Sequence, residues 1–525
     1  MNARRLLFLF LAALTVLRLL FITQVELSPD EAYYYQWSER LDWGYFSKGP
    51  GVAVAMWLST HLFGANEFGI RVFSPLLALG TALLMFAFAR RLYGESVALW
   101  TVLTIHCTPI FQVGGLVMTI DPLSIFFWMA ALYAFWLALE KSPAFSLWWP
   151  LTGALIGLGF LAKFTNAMQL LSILLLLALT RKYRCELRQP GLYTLLAAFA
   201  VCTAPPLLWN AQHDWITLAH LSARGGLNSA ASLDPGEWFS FLGAHFGVYS
   251  PLLFAGFCLA LWWGGKMARS HYKPRFLLAF AVPLLALYFT LSLKQAGEAN
   301  WTAPAMLSLV VLAVALWHER ALESAGARRF AISALALGAG LSLVTLNLDL
   351  LRTAGLPLPY DRDPSARLRG WRSATEQVEA FRTQFESAQG APVFLIANKY
   401  GTAASLAFHL HDRRAEGPGH PPVYVPESPF PENQYFFWPR YDENVARPAG
   451  ARPKEEYYTE EMGDNAFLGR TALYITDRAE ERPPSAIKRG FERVEMIAAF
   501  EQTRRGMPLR VLRIFACYHY KQVDL

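Results

Sequence analysis

From Leu6 to about Leu351 the chain is a succession of apolar runs, most of them close to the roughly 20 residues needed to cross a bilayer, separated by short polar loops. That pattern fixes the class before any motif is read. With 54% hydrophobic and only 17% charged residues, the chain departs from the about 25% charged of a soluble protein. The runs number about eleven, centred near Ala13, Ala82, Leu103, Ala131, Leu155, Leu174, Ala198, Phe254, Leu284, Val311 and Leu341. The expected fold is a polytopic α-helical membrane protein carrying a C-terminal soluble α/β domain.

The start has the basic residues of a signal sequence, Arg4 and Arg5, but no small-residue cleavage pattern before Ser28, so it reads as an uncleaved first helix. With the N-terminus cytoplasmic, alternate loops carry Arg90 and Arg91, Lys141, Arg181 to Arg184, Lys266 to Arg275, and Arg320 to Arg329, all on the cytoplasmic side. The opposite loops hold Asp30, Asp121, His213, Arg224 and Glu298, and Lys163 lies near the same outer face. An odd number of spans puts everything after Leu351 outside as well. The formal charge of +7 therefore describes inward loops and does not argue for nucleic acid as a partner. Of five cysteines only Cys517 belongs to the external part, so no disulfide framework or zinc spacing is available there.

The character changes after Leu351. RTAGLPLPYDRDPSARLRG is rich in proline and arginine and reads as a linker, dividing a membrane domain (1–351) from a C-terminal α/β domain (352–525). Val393 to Ala397, Val423 to Val425, Ala472 to Thr476, Arg493 to Phe500 and Leu509 to Tyr518 are expected strands, and Thr402 to Leu410 a helix. Within the first outer loop, residues 24–69, Val52 to Phe63 is expected to lie on the membrane surface with Trp57 as its anchor.

The outward-facing charges are candidates for chemistry. Sugar transfer from a lipid phosphate to a hydroxyl needs a base for the acceptor proton, and Asp30 with its neighbour Glu31 supplies carboxylates at the bilayer surface. The competing reading has Asp30 capping a helix that begins at Glu31. Lys48, in YFSKGP, suits a departing phosphate, or else snorkels to anchor an interfacial helix. Asp121 and Lys163 would be costly in mid-membrane, so they line a shared cavity or mark helix ends. WNAQHDW, from Trp209 to Trp215, Arg224 with its two glycines, and KQAGEANW, from Lys294 to Trp301, combine aromatics with amides as a sugar site would, although an interfacial belt uses the same tryptophans. Tyr34, Tyr45, Asp121, Asn210, His213, Arg224, Glu298 and Asn300 make up the expected cavity. His213, His220 and His245 with Glu237 leave a divalent metal ion as a cofactor to be tested, without any tight ligand spacing. No GxGxxG or P-loop pattern is present, which disfavours a nucleotide sugar as direct donor.

Asp30-Glu31, YFSKGP, Arg71 before the second helix, TIDPLSIFFW, LAKFTNAM, WNAQHDW and NQYFFWP, in that order, resemble the bacterial membrane glycosyltransferases of family 39. That family includes the dolichyl-phosphate-mannose protein mannosyltransferases, and its GT-C superfamily relatives include the aminoarabinose transferases acting on lipid A. The resemblance implies a GT-C fold and a polyprenyl-phosphate sugar donor. It further implies a lipid, glycan or protein acceptor at the periplasmic face of the bacterial inner membrane, with Asp30 as base. Lys48, Lys163 and Arg71 become the donor-phosphate contacts. Lys48-Gly49-Pro50 departs from the Lys-Pro-Pro and His-Pro-Pro of relatives. Two other classes stay open at this point: a lipid-linked sugar flippase, and an inactive relative that binds a glycan through Trp438.

Overall fold

The structure, a computed structural model, describes residues 3–226, 233–356, 358–410, 414–443, 465–478 and 482–521. All eleven expected centres fall inside helices: Ala3–Phe21, Phe73–Tyr93, Glu95–His106, Ile120–Glu140, Trp148–Ala162, Met168–Leu179, Pro190–Gln212, Pro251–Met267, Tyr272–Leu291, Ala303–Glu323 and Ala325–Leu346. Among the described residues six helices are long and apolar enough to cross a membrane, or up to eight when each of two sharply bent pairs is one span. The chain is a multi-pass membrane protein. The helices at Leu103, Leu155 and Leu174 have only 12, 15 and 12 residues, short of a full crossing each.

The chain divides into two compact units. One comprises Met1–Thr23 with Leu41–Leu350, the other Gln24–Arg40 with Leu351–Leu525. The first expected outer loop is thus shared: its first part, with the acidic pair, folds with the C-terminal residues, and the remainder with the membrane helices.

In the membrane unit, Ala303–Glu323 is the central helix, with every residue from Ala303 to Leu316 buried. The next helix, Ala325–Leu346, buries only Ala334, Gly338 and Ser342, one stripe at four-residue spacing. Small residues set the closest approaches. A Cβ on Gly153 would overlap the Leu195 carbonyl, and one on Gly157 would press the Cys202 side chain, so the Gly-xxx-Gly face lets Trp148–Ala162 lie against Pro190–Gln212. The expected helix at Val52 to Phe63 is present as Gly51–Phe63, with Trp57 exposed.

The C-terminal unit is built on a sheet of β1 (Phe394–Ala397), β2 (Ala472–Thr476), β3 (Phe491–Arg504) and β4 (Met507–Tyr520), in the order β1-β2-β4-β3. β1 and β2 are parallel, with Phe394 opposite Ala472, and the other pairs are antiparallel. Arg505 and Gly506, both at positive φ, make the two-residue turn that joins β3 to β4. β3 forms an edge and carries Glu492, Arg493, Glu495 and Arg504, charges that discourage pairing with another chain. Val423 to Val425 is not a strand. Prolines at 421, 422 and 426 remove ladder donors, and the segment keeps one parallel bridge, Ile396 to Tyr424. The helix Trp371–Gln389, unforeseen in the sequence, is amphipathic and buries Trp371, Ala374, Thr375, Val378 and Arg382.

Candidate active site

The membrane unit holds Asp121 in the first turn of Ile120–Glu140, where Thr119 is the N-cap and the helix dipole favours a carboxylate. Asp121 Oδ1 accepts from Lys163 Nζ at 2.8 Å, and Oδ2 accepts from Asn300 Nδ2 at 2.6 Å. The pair is largely enclosed, with side-chain exposures of 18% for Asp121 and 8% for Lys163. Lys163 reaches this place because Trp148–Ala162 ends there and the backbone turns extended. The following turn is tied back by Asn166, which accepts from Ser124 Oγ at 2.6 Å and donates to the Ser124 carbonyl at 3.0 Å. Asp121, Lys163 and Asn300, all three among the expected site residues, are thus hydrogen-bonded to one another through Asp121.

Lys48 belongs to a loop pressed against the same region. A Cβ on Gly49 would overlap the Leu161 carbonyl, and one on Gly51 would lie 2.8 Å from the Ala162 nitrogen, two residues and one residue before Lys163. This gives the Lys-Gly-Pro departure a physical cause: a residue with a Cβ has no room at Gly49. Lys48 and Arg224 both act on His220, whose ring centre is 4.6 Å from that of Phe46. Burial first, and then these two cations, push the His220 imidazole down to about 4, so it is neutral at ordinary pH. The Arg224 guanidinium lies 5.4 Å from the centre of the Trp301 ring, beside Asn300. Glu298 is exposed at the same turn.

Several expected cavity residues turn out to be structural. Tyr45 is fully enclosed, its hydroxyl accepting the Asp42 N–H at 3.1 Å and its carbonyl accepting Thr217 Oγ1 at 3.0 Å, so it shapes the loop instead of lining a cavity. Asn210 is buried and donates to the Pro206 carbonyl at 2.9 Å, while its own carbonyl closes the turn by accepting from Trp215 at 2.7 Å. His213 is stacked on Trp209 at 3.9 Å with Nδ1 at 2.7 Å from the Trp209 carbonyl. In WNAQHDW the aromatic–amide pattern therefore serves a helix end, with Asp214 and Trp215 in the left-handed region. Trp209 donates from Nε1 to Asp42 Oδ2 at 2.8 Å, making Asp42 an anchor that sequence reasoning missed. Arg71 is fully buried and donates from Nη1 to the Ile22 carbonyl at 2.8 Å.

The acidic pair belongs to the C-terminal unit. Ser28, not Asp30, caps the helix Pro29–Ser38: its hydroxyl accepts the Glu31 N–H at 3.2 Å, and the Glu31 carboxylate accepts the Ser28 N–H at 2.9 Å. This is a capping box, which needs serine at the cap and glutamate three residues on. Glu31 is fully buried in that role. Asp30 is 39% exposed; its Oδ1 accepts from the Tyr400 hydroxyl at 3.4 Å and its Oδ2 lies 3.6 Å from an Arg367 nitrogen. The helix is seated by its aromatic residues. Tyr33 packs on Tyr400 at 4.4 Å and on Tyr435 at 6.0 Å, and Tyr35 meets Phe408 edge-on at 5.4 Å. Tyr34, half-buried, meets Trp37 edge-on at 5.0 Å. Arg40 donates to the carbonyls of Gly419 and His420, both at 3.2 Å, and lies over Trp438. Tyr435, Phe436 and Trp438 are buried, so NQYFFWP is core and not an open binding face.

Among the described residues no three His, Cys, Asp or Glu side chains gather as a metal ion would need. His245 is buried between the Phe241 carbonyl and Thr302 Oγ1, and Glu237 accepts the Ala296 N–H.

Residues 47–209 match the family described as dolichyl-phosphate-mannose-protein mannosyltransferase. A lipid A galacturonosyltransferase of Rhizobium johnstonii is 30% identical over 55% of this chain and 60% of its own length. An undecaprenyl phosphate-α-4-amino-4-deoxy-L-arabinose arabinosyl transferase of Pseudomonas paraeruginosa is 28% identical over 64% and 62%. The chain thus spans about three-fifths of the length of these curated relatives. In structure it follows ArnT from Cupriavidus metallidurans in the apo state, at a TM-score of 0.62 and 16% identity over 98% of both chains. The same protein bound to undecaprenyl phosphate gives a TM-score of 0.58. In fold the chain is similar to ArnT, and in sequence it is similar to lipid A galacturonosyltransferase and to the undecaprenyl phosphate aminoarabinose transferases.

Proposed function

We propose that this chain is a glycosyltransferase of the bacterial inner membrane. It moves one sugar from undecaprenyl phosphate to a periplasmic acceptor, lipid A foremost, with its N-terminus cytoplasmic and its C-terminal unit periplasmic. The observation that carries this reading is the kinship with two transferases that move different sugars, one named for lipid A and the other for undecaprenyl phosphate. The sugar itself is left open by that pair.

The chemistry is a single displacement. The acceptor hydroxyl gives its proton to Asp30 as its oxygen bonds to the anomeric carbon, and the bond to the lipid phosphate breaks with the electron pair leaving on phosphate. Lys48 and Lys163, with Arg224, supply positive charge to that phosphate. Asn300 and Glu298 face the sugar hydroxyls. Arg71, enclosed and bonded to the backbone, positions the helix start instead of touching phosphate, and Glu31 holds the helix that carries Asp30. Because protein cations neutralise the phosphate, turnover is expected to persist in EDTA; its loss would put a divalent ion in their place.

The test is reconstitution of the purified chain with undecaprenyl-phosphate sugars and lipid A, followed by mass spectrometry. The expected result is lipid A gaining the mass of one sugar residue. Movement of the lipid donor between leaflets with no glycosylated product would contradict the reading.

A further inference from the structure

The arginine- and proline-rich stretch after Leu351 is built like the wall of a site, not like a linker. Arg352 Nη1 meets Asp363 at 2.8 Å with both side chains almost fully buried, and its guanidinium lies 3.7 Å from the centre of the Tyr360 ring. Asp363 then caps the short 3-10 helix Pro364–Leu368 by accepting the Ser365 N–H at 2.7 Å. The Leu368 carbonyl accepts the Glu26 N–H at 3.2 Å, and the Glu26 carboxylate accepts the Trp371 N–H at 2.5 Å. These bonds pin the stretch to the residues that lead into the Asp30 helix.

From this pinned stretch Arg367 stands out, 64% exposed, with one nitrogen 3.6 Å from Asp30 Oδ2. Arg362 and Arg372 are exposed on either side of it in sequence. An exposed pair at that separation adds little to stability, so the fold does not require an arginine there. A guanidinium carries five N–H donors in a planar fork that matches phosphate or carboxylate oxygens, and Asp30 takes only its edge. On the other side Tyr400 reaches Asp30 Oδ1 at 3.4 Å. Both contacts are long, and the carboxylate keeps lone pairs for an incoming hydroxyl.

We propose that Arg367 binds an anionic group of the acceptor, phosphate or carboxylate, and so delivers a neighbouring acceptor hydroxyl to Asp30. This rests on the transferase reading above. It assigns acceptor recognition to the C-terminal unit and makes Arg367 a specificity residue.

The test uses the full chain in nanodiscs at saturating donor, with phosphorylated lipid A and the same lipid after phosphatase treatment. Arg367→Gln is expected to raise the acceptor KM by roughly tenfold or more, the scale of a lost charge-assisted bidentate contact, with donor KM unchanged. Arg367→Lys restores part of it. Dephosphorylation should cost the wild type a similar factor and cost Arg367→Gln little; if instead amidation of acceptor carboxyls has that effect, the anion is a carboxylate. An unchanged acceptor KM, or a rise confined to donor KM, overturns the proposal. Affinity is read without turnover as well, by tryptophan fluorescence on titration with phosphorylated lipid A. If the wild type transfers no sugar, the transferase reading falls, and the Arg367 assignment stands or falls on that binding difference.

Discussion

Asp30 and Asp121 occupy the same place in their helices, the second residue after a hydroxyl cap, Ser28 in one and Thr119 in the other. Their surroundings differ by unit. In the membrane unit both oxygens of Asp121 are taken at short range, by Lys163 at 2.8 Å and Asn300 at 2.6 Å. In the C-terminal unit Asp30 has Tyr400 at 3.4 Å and an exposed Arg367 at 3.6 Å. A charge within apolar helices is expensive unless paired and hydrogen-bonded, so Asp121 is committed to its partners. A carboxylate near water bears no such demand. The proposed mechanism gives the loosely held aspartate the role of base, and leaves the tightly held one to fix the Lys163 ammonium.

The comparison breaks most visibly if the two aspartates respond alike to loss of a partner. Lys163→Met leaves Asp121 without its cation and should destabilise the membrane unit by about 3–5 kcal/mol in thermal unfolding in detergent. The double variant with Asp121→Asn should cost less than the two single changes added together. Arg367→Gln should move stability by no more than about 0.5 kcal/mol.

A buried carboxyl within the C-terminal unit sharpens the contrast. Burial, and then the negative charge of Asp442, push Glu427 up to about 7 from an ordinary 4.5. The folded unit therefore binds a proton that the unfolded chain releases between these values. Stability is greatest below about pH 4.5 for this group and declines as pH rises through 7, by roughly 2–4 kcal/mol in all. Glu427→Gln should remove that slope, as read by hydrogen exchange of the sheet at pH 5 and pH 8 in the full chain. A slope that survives would place the titration elsewhere. The smallest expected effect is at the cap: Ser28→Ala should cost about 1 kcal/mol, whereas Asp30→Ala should leave stability within about 0.5 kcal/mol. The reverse order would restore Asp30 to a capping role.

Much of this was legible in the sequence. Long apolar runs locate the helices because lipid imposes a simple requirement on length and composition. The pairing of Asp121 with Lys163 follows from the cost of charge among Leu, Ile and Phe. What was hidden depends on contacts between residues far apart in the chain. Nothing near Asp30 announces that its helix folds with residues beyond Leu351, since the aromatic partners Tyr400 and Tyr435 lie some four hundred residues on. The capping box was readable, because Ser28 precedes Glu31 by three residues. The arginine run from Arg362 to Arg372 was visible too, but only the bonds of Arg352 with Asp363 and of Glu26 with Trp371 turn it from a linker into a wall. Asn210 and Tyr45 have the composition of a sugar site, and hydrogen bonds to the backbone claim them instead.

The central claim is that Asp30 takes the acceptor proton, and its most direct test is single-turnover transfer by Asp30→Asn in reconstituted membranes. The account predicts a fall in rate of about 10²–10⁴-fold, with donor binding and thermal stability unchanged. A rate within a few fold of the wild type, measured with the donor bound, would contradict it.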